Sequence, residues 1–277
     1  MTRDIRTLLV KNRPPDVITL NANGANAMLA QAGVWHDWTG DPLLDDINPG
    51  MLDILDELGT HDGEINALPY VANANGIIYN RDIFAQHGLD VPHTWDELIA
   101  VAETLQAAGV TPFAAGVADA WTVMPPFNAL GAYAARDGFF DALREQGADT
   151  APDSPRSFSG DFATVVDQMN RLFEFAQPGW RGATYDDSTA LFARGEAAMM
   201  MQGIWALSPV RRINPDINAA IFPYPVSNNP DDRMLVSGVD IQVILPRDGR
   251  NHEAARRFVE FMFLHTPRKL SHRSTVD

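Results

Sequence analysis

The sequence contains no cysteine and has few basic residues. The absence of cysteine excludes disulfides, thiolate metal sites and cysteine nucleophiles. Lysine and arginine number 21 against 36 aspartate and glutamate residues, which gives a formal net charge of -15. Such a chain repels nucleic-acid phosphates and anionic lipid surfaces. We therefore expect no nucleic-acid partner, and the charge favours a neutral or cationic ligand.

Long apolar runs are also missing. No stretch approaches the roughly 20 apolar residues of a membrane span. Residues 1–15 lack the apolar core of a secretory signal. The 277 residues are nevertheless 45% hydrophobic, which is enough to build the cores of one large domain or two of ordinary size.

Several enzyme signatures are absent as well. The sequence has no phosphate-binding loop, no dinucleotide-binding glycine fingerprint and no Gly-x-Ser-x-Gly elbow. His252 begins a stretch like the zinc-protease helix motif, but Arg256 stands where the second histidine is required. We therefore expect no enzymatic activity, no catalytic residues, no bound metal and no cofactor. A glycoside hydrolase is the enzymatic alternative, because Asp186, Asp187 or Asp240 could supply a carboxylate pair.

Apolar segments of two kinds alternate along the chain. Continuous apolar runs predict buried strands at residues 16–20, 76–80, 110–115, 197–201, 219–224 and 241–245. Apolar residues spaced three and four apart predict helices at residues 94–109, 162–176 and 186–194, with a last helix after Asn251. Strands that alternate with helices indicate an α/β protein with helix-covered sheets.

Two local patterns predict more specific features. Thr94 and Glu97 have the spacing of a capping box, in which a hydroxyl and a carboxylate satisfy the first free N–H groups of a helix. Residues 137–155, rich in charge, glycine and proline, predict a surface loop with at most one helical turn.

Three motifs occur in a characteristic order. Residues 14–17 (PPDV) open the first strand, residues 68–84 (LPY to GIIYNRDIF) are followed by 92–98 (PHTWDEL), and residues 190–205 read ALFARGEAAMMMQGIW. In this order and at these separations they resemble the extracellular, periplasmic-type solute-binding proteins of carbohydrate ATP-binding-cassette (ABC) importers, family 1. The resemblance covers residues 14–265.

The resemblance implies a periplasmic-binding-protein-like type II fold, with two α/β lobes joined by a hinge of crossover strands. Lobe 1 is expected at 1–72 and 238–265, lobe 2 at 75–237, and an irregular basic tail at 266–277. Family members usually begin with an export signal, a first strand and a helix, and they continue with further helices. The sequence is therefore expected to be a family member truncated at both ends.

The resemblance also implies a function. The chain would be a monomeric substrate-binding subunit that captures a sugar or oligosaccharide between its lobes by hinge closure. It would deliver this ligand to the permease subunits of an ABC transporter, without breaking a bond. The location would be extracellular or periplasmic, with a membrane tether in full-length members.

A sugar site needs aromatic rings that pack on C–H faces. Trp205 follows Gly203 where the resemblance places a ring that stacks on sugar, and Trp121 occupies a similar position to another stacking aromatic. Trp180 is expected near the mouth of the cleft. Packing in a core or on a lobe surface is the alternative for each ring, and for Trp180 it is the favoured one.

A sugar site also needs short amides and carboxylates for the hydroxyl groups. Asn21 and Asn23 follow a predicted strand, where α/β sheets place ligand-binding groups. The resemblance adds Asn73 and Asn75 at the crossover between the lobes and Asp240 at the return crossover. Turn formation is the alternative for the asparagines, and a hydrogen bond to hinge backbone is the alternative for the aspartate.

Other ligands remain open at this stage: a polyol, a phosphosugar, an amino acid or a peptide. The tryptophans favour a sugar, and the negative charge disfavours a phosphorylated ligand unless Arg81, Arg181 or Arg194 faces the cleft.

Overall fold

The structure is a computed structural model that describes residues 2–265 and the side chains of residues 5–264. The basic tail predicted at 266–277 lies outside the described residues. In the described part the α-helices are α1 (Thr2–Val10), α2 (Gly24–Gln31), α3 (Pro49–Leu58), α4 (Arg81–Gln86), α5 (Trp95–Ala107), α6 (Met124–Ala134), α7 (Phe139–Gln146), α8 (Phe158–Asp161), α9 (Ala163–Glu174), α10 (Tyr185–Ala193), α11 (Leu207–Ile213) and α12 (His252–His265). The strands are β1 (Ile18–Asn21), β2 (Leu68–Asn80), β3 (Thr111–Ala114), β4 (Ala197–Gly203), β5 (Ala219–Phe222) and β6 (Val236–Ile244). The alternation of strands and helices confirms the α/β prediction.

The described chain divides into two compact units. Unit 1 contains residues 2–73 and 237–265, and unit 2 contains residues 74–236. Each unit has its own hydrophobic clusters, while β2 continues from unit 1 into unit 2.

In unit 1, β1 pairs antiparallel with β6, from Ile18 opposite Ile244 to Asn21 opposite Ile241. Because side chains alternate across a strand, the two faces of this pair bury different clusters. One face packs on α1, α2 and the indole of Trp35 through Ile5, Ile18, Leu20, Ala30 and Ile244. The other face packs on Trp38 and α12 through Val243, Leu245, Ala255, Val259 and Phe263. Helices therefore cover both faces of the strands.

A histidine cluster at the edge of unit 1 makes stability depend on pH. The ring of His36 lies 4.6 Å from that of His252 and 4.7 Å from Trp38, centroid to centroid. Burial, followed by repulsion from His252 and Arg256, lowers the pKa of His36 below 6.5, while Asp37 and Asp41 act in the opposite sense. The unfolded chain therefore takes up a proton at a higher pH than the folded chain does.

We expect the free energy of unfolding to fall as pH drops through 6.5 toward the folded-state pKa of His36. Well above 6.5 this histidine is neutral in both states and contributes no pH dependence. Urea unfolding of wild type and His36→Gln across this range measures the effect, and the variant should lose less stability on acidification. Replacing His93, an exposed histidine of unit 2, serves as the control. Identical pH profiles for wild type and His36→Gln would contradict the prediction.

Unit 2 is built on β4, which is buried along its whole length. β4 pairs antiparallel with β2, from Asn75 opposite Gly203 to Tyr79 opposite Met199, and parallel with β3. β2 pairs on its other edge with β5. The larger cluster buries one face of these strands under α5, α6 and α9, through residues that include Ile77, Leu98, Phe113, Leu130, Phe162 and Met201. The smaller cluster buries the other face under α10 and α11, through Ile78, Phe192, Met200 and Val210.

Helix α5 begins with the capping box that the sequence predicts. The Thr94 hydroxyl accepts a hydrogen bond from the Glu97 N–H at 3.3 Å, and the Glu97 carboxylate accepts one from the Thr94 N–H at 3.3 Å. The predicted capping box is therefore confirmed.

The segment 137–155 is more helical than predicted, because α7 has eight residues where one turn was expected. Phe139, at the start of α7, is completely buried. Its ring contacts Phe140, Phe158 and Phe162, each with a centroid distance of 5.2 Å. This aromatic packing fixes a helix where the composition had indicated a loop.

Turn formation, the alternative for Asn73 and Asn75, was also wrong. Both lie inside β2, which begins at Leu68 rather than at Gly76. Backbone pairing with a neighbouring strand overrides the turn preference of asparagine here.

Candidate ligand-binding site

Trp205 lies at the end of the buried strand β4 in unit 2. The strand ends at Gly203, and the 3₁₀ turn Ile204–Ala206 carries the indole back over that glycine. A Cβ on Gly203 would lie 2.0 Å from Cζ3 of Trp205, so the ring occupies space that only glycine leaves free. The indole packs against the smaller cluster of unit 2, and its Nε1 makes no hydrogen bond with any described residue.

Trp121 and Tyr185 form an aromatic pair in the same unit. Their ring centroids are 4.9 Å apart with 53° between the ring planes, and 45% of Trp121 remains exposed. Tyr185 packs on the same cluster as Trp205. Burial raises the pKa of Tyr185 above 10.0, so its phenol stays protonated at neutral pH and can donate a hydrogen bond.

Hydrogen bonds hold this aromatic pair in place. The Asp119 carboxylate accepts from the Tyr185 N–H at 2.8 Å and ties the 3₁₀ turn that carries Trp121 to the start of α10. Thr184 and Asp187 form a second capping box there, with the Thr184 N–H donating to Asp187 at 2.9 Å. The aromatic pair is therefore positioned before any ligand arrives.

Asn75 and Gln202 each have a shielded carboxamide oxygen that accepts no hydrogen bond from a described residue. The register places Asn75 opposite Gly203, and Gln202 opposite Gly76, so the two carboxamides lie on opposite faces of the strands. Gln202 lies on the face of the cluster that Trp205 and Tyr185 contact, and its Nε2 donates to the Thr122 carbonyl at 3.4 Å. An unpaired buried acceptor costs about 1–3 kcal/mol.

Trp180 is engaged in packing. Its ring stacks on Phe173 with centroids 4.6 Å apart and only 10° between the planes, and the Arg181 guanidinium lies 4.3 Å from its centroid. These contacts occupy the surface that a sugar would use, and they favour a packing role for Trp180.

In unit 1, Asn21 and Asp240 are brought together. Asn21 Nδ2 donates to Asp240 Oδ1 at 2.8 Å and to the Asp240 carbonyl at 3.2 Å. No described residue donates to the second carboxylate oxygen of Asp240 or to the amide oxygen of Asn21. The pair therefore presents acceptors at the end of β1 that a hydroxyl-bearing ligand can use.

Asn23 and Asn73 have local roles. The Asn23 side chain caps α2 by accepting from the Asn26 N–H at 3.2 Å. The carbonyl of Asn73, the last residue of the first segment of unit 1, accepts from the Ser237 hydroxyl at 2.8 Å. Capping accounts for Asn23, while the amide of Asn73 is partly exposed and forms no hydrogen bond with a described residue.

Gln202 and Tyr185 are not among the site residues predicted from the sequence. The signal for Gln202 was one polar residue at the end of an apolar strand of alanine and methionine. Nothing local indicated Tyr185, because its pairing with Trp121 spans 64 positions of the chain, from 121 to 185.

Two features are absent from the described residues: a helix that could cross a membrane and a group of side chains that could bind a metal ion. Between residues 2 and 265 we find no helix with the length and apolar character that crossing a membrane requires. The same part of the chain holds no group of three or more histidine, aspartate or glutamate side chains arranged to bind a metal ion.

Comparison with known proteins places the chain in a family. The family model described as bacterial extracellular solute-binding protein matches residues 2–267. The multiple sugar-binding protein of Streptococcus mutans serotype c is 25% identical over 261 residues, or 93% of this chain and 60% of that protein. The sn-glycerol-3-phosphate-binding periplasmic protein of Shigella flexneri is 22% identical over 207 residues, or 72% of this chain and 45% of that protein.

A solved structure, SBP RafE in complex with raffinose, superposes with a TM-score of 0.79 at 27% identity, covering 94% of this chain and 67% of that one. The likeness confirms the predicted solute-binding-protein fold. The chain spans 60% of the length of the Streptococcus relative and 45% of the Shigella relative. By the family match along almost its whole length, this chain belongs to the bacterial extracellular solute-binding proteins.

Proposed function

We propose that this chain is the substrate-binding subunit of an ABC importer, and that it captures a sugar or oligosaccharide for delivery to a membrane permease. The observation that carries the proposal is the aromatic pair of Trp121 and Tyr185, held on the same cluster as Trp205 with one indole 45% exposed. Exposed, pre-positioned rings match the apolar C–H faces of a sugar.

The polar groups complement the rings. A sugar hydroxyl both donates and accepts, so it pairs with amides and carboxylates that keep a free oxygen. The Asn21–Asp240 pair in unit 1 has such oxygens. We propose that the two units act as the two lobes of the binding protein.

Names of related proteins support a sugar over other solutes. The Streptococcus relative is named a multiple sugar-binding protein, and the RafE structure contains raffinose. The Shigella relative is named for sn-glycerol 3-phosphate, which makes a phosphorylated ligand the alternative to test. A phosphate needs cationic partners. Arg181, one of the three arginines considered for that role, lies over the Trp180 ring.

The proposed action is binding without chemical transformation of the sugar. A glycoside hydrolase needs a carboxyl group with a raised pKa as its general acid. Hydrogen bonds from the Thr184 backbone and hydroxyl instead lower the pKa of Asp187 below 3.8. The protein would act as a monomer outside the cytoplasm, tethered to the membrane and docking on its permease when closed on the ligand.

A thermal-shift screen tests the ligand class. The panel contains mono- and oligosaccharides, sn-glycerol 3-phosphate, amino acids and short peptides. At a ligand concentration of about 100 times Kd, binding stabilises the fold by about 2.7 kcal/mol and raises Tm by about 5 °C or more. We expect this shift with at least one sugar. A shift with sn-glycerol 3-phosphate or a peptide, and with no sugar, would overturn the proposal.

Replacing Trp121 by alanine is expected to weaken sugar binding about tenfold, because the ring loses its stacking contact with the sugar. Stability should change little, since 45% of the side chain is already exposed. Titration of the sugar that gives the largest thermal shift measures the affinity. The matched control is Phe140→Ala, which removes a 50% exposed ring from α7 of the same unit. Equal affinity of the two variants would argue against Trp121 as a ligand contact.

A further inference from the structure

Unit 1 contains a cavity of its own. It has a volume of 440 Å³, within the range of small-molecule sites. α2 and α3 form two of its walls, the segment 59–67 forms a third, and Gln242 and Ile244 of β6 form its floor. All its lining residues belong to unit 1.

The floor of the cavity has a polar group without a partner. Gln242 is only 5% exposed, and its carboxamide forms no hydrogen bond with any described residue. Asn26, 2% exposed in the wall, donates its Nδ2 to the Asn21 carbonyl at 2.7 Å, while its Oδ1 accepts no hydrogen bond. A buried amide without a partner costs free energy that a bound ligand would offset.

The charge of the lining has one sign. Asp53 and Asp56 stand on the α3 wall, and no lysine or arginine is present among the described lining residues. The Asp53 carboxylate forms no hydrogen bond or ion pair with a described residue, whereas Asp56 accepts from the Thr60 hydroxyl at 3.1 Å. Glu64 is already paired with Arg247 and Asn66. Asp53 is therefore the free anionic group of the cavity.

The remaining lining is apolar. Trp35, Leu52 and Leu55 contribute hydrophobic surface between the carboxylates and the floor. A ligand that satisfies all of these groups carries a positive charge with N–H donors at one end and an apolar body at the other.

From these features we propose that the cavity of unit 1 binds a small organic ammonium ion with an apolar body. The ammonium group pairs with Asp53, and the apolar body packs against Trp35 and Leu52. This site does not depend on the sugar site, because it rests on different side chains in unit 1.

Calorimetric titration of the full chain with benzylammonium tests this inference, and benzyl alcohol is the neutral ligand of similar shape. We expect benzylammonium to bind at least about fivefold more tightly than benzyl alcohol, as one ion pair near a protein surface provides. Asp53→Asn should remove that preference. Glu57→Gln, which removes one charge from the same helix outside the cavity, should retain it.

A second variant tests the position of the site. Ala27 is 7% exposed and lines the cavity, so Ala27→Leu should place three more carbons in it and weaken benzylammonium binding. Absence of benzylammonium binding to wild type, equal affinity for the two ligands, or equal effects of Asp53→Asn and Glu57→Gln would overturn the inference. Sugar binding is titrated on the same samples. Sugar binding without amine binding would contradict this inference alone, and the reverse result would contradict the proposed function alone.

Discussion

Replacing Trp205 by alanine is expected to weaken sugar binding by at least about 100-fold, the largest effect on affinity in the molecule. The indole lies against Gly203, in space that only a glycine leaves free, since a Cβ on Gly203 would lie 2.0 Å from the ring. It also packs on the cluster that supports Tyr185, so its loss removes a stacking surface and loosens the neighbouring aromatic pair. Fluorescence or calorimetric titration with the sugar from the thermal screen measures the change.

Trp180→Ala is the control for Trp205→Ala. Trp180 is also a partly buried indole of unit 2, but it stacks on Phe173 and under Arg181. Both substitutions should reduce the free energy of unfolding, by about 2–4 kcal/mol. Only Trp205→Ala should reduce sugar affinity, and Trp205→Phe should restore part of it. If Trp180→Ala weakens binding as much as Trp205→Ala, the assignment of the two rings is wrong.

Gly116→Ala is expected to cause the largest loss of stability. A Cβ at this position would lie 2.1 Å from the Thr184 carbonyl oxygen and 2.7 Å from its carbon, so backbone would have to move. The neighbouring backbone is held by a hydrogen bond from the Ala118 N–H to the Ala183 carbonyl at 3.0 Å. We expect a cost of about 3 kcal/mol in the free energy of unfolding, measured by urea denaturation.

Gly182→Ala provides the comparison for Gly116→Ala. Gly182 lies two residues before Thr184, yet the nearest heavy atom to its Cβ would be 3.8 Å away. This variant should be within about 0.5 kcal/mol of wild type. Because Thr184 starts the helix that carries Tyr185, Gly116→Ala should also lower sugar affinity where the protein remains folded. Equal stability of the two variants would show that the 116–118 and 183–184 segments are not held together.

Local patterns were sufficient to predict the strand that ends at Gly203 and the helix that starts at Thr94. Buried strands and capping boxes depend on neighbouring residues, so a short stretch of sequence carries the whole signal. The position of Trp205 directly after the turn at Gly203 could also be predicted, because only one residue separates the two.

Long-range pairing could not be predicted in the same way. Phe173 stacks on Trp180, Gly116 abuts Thr184, and Asn21 bonds Asp240 only after the chain has folded. Each contact depends on the mutual position of separate elements, which no local periodicity specifies. The length of α7 was underestimated for the same reason, because the burial of Phe139 depends on distant phenylalanines.

Sugar binding through the aromatic groups of unit 2 is tested by comparing three proteins. Wild type, Trp205→Ala and Trp180→Ala are titrated calorimetrically with the sugar that gives the largest thermal shift, after each protein has shown a cooperative melting transition. We expect saturable binding of one sugar per chain to wild type and Trp180→Ala, and a loss of at least about 100-fold in Trp205→Ala. Folded wild-type protein that binds no sugar, or a Trp205→Ala variant with unchanged affinity, would contradict it.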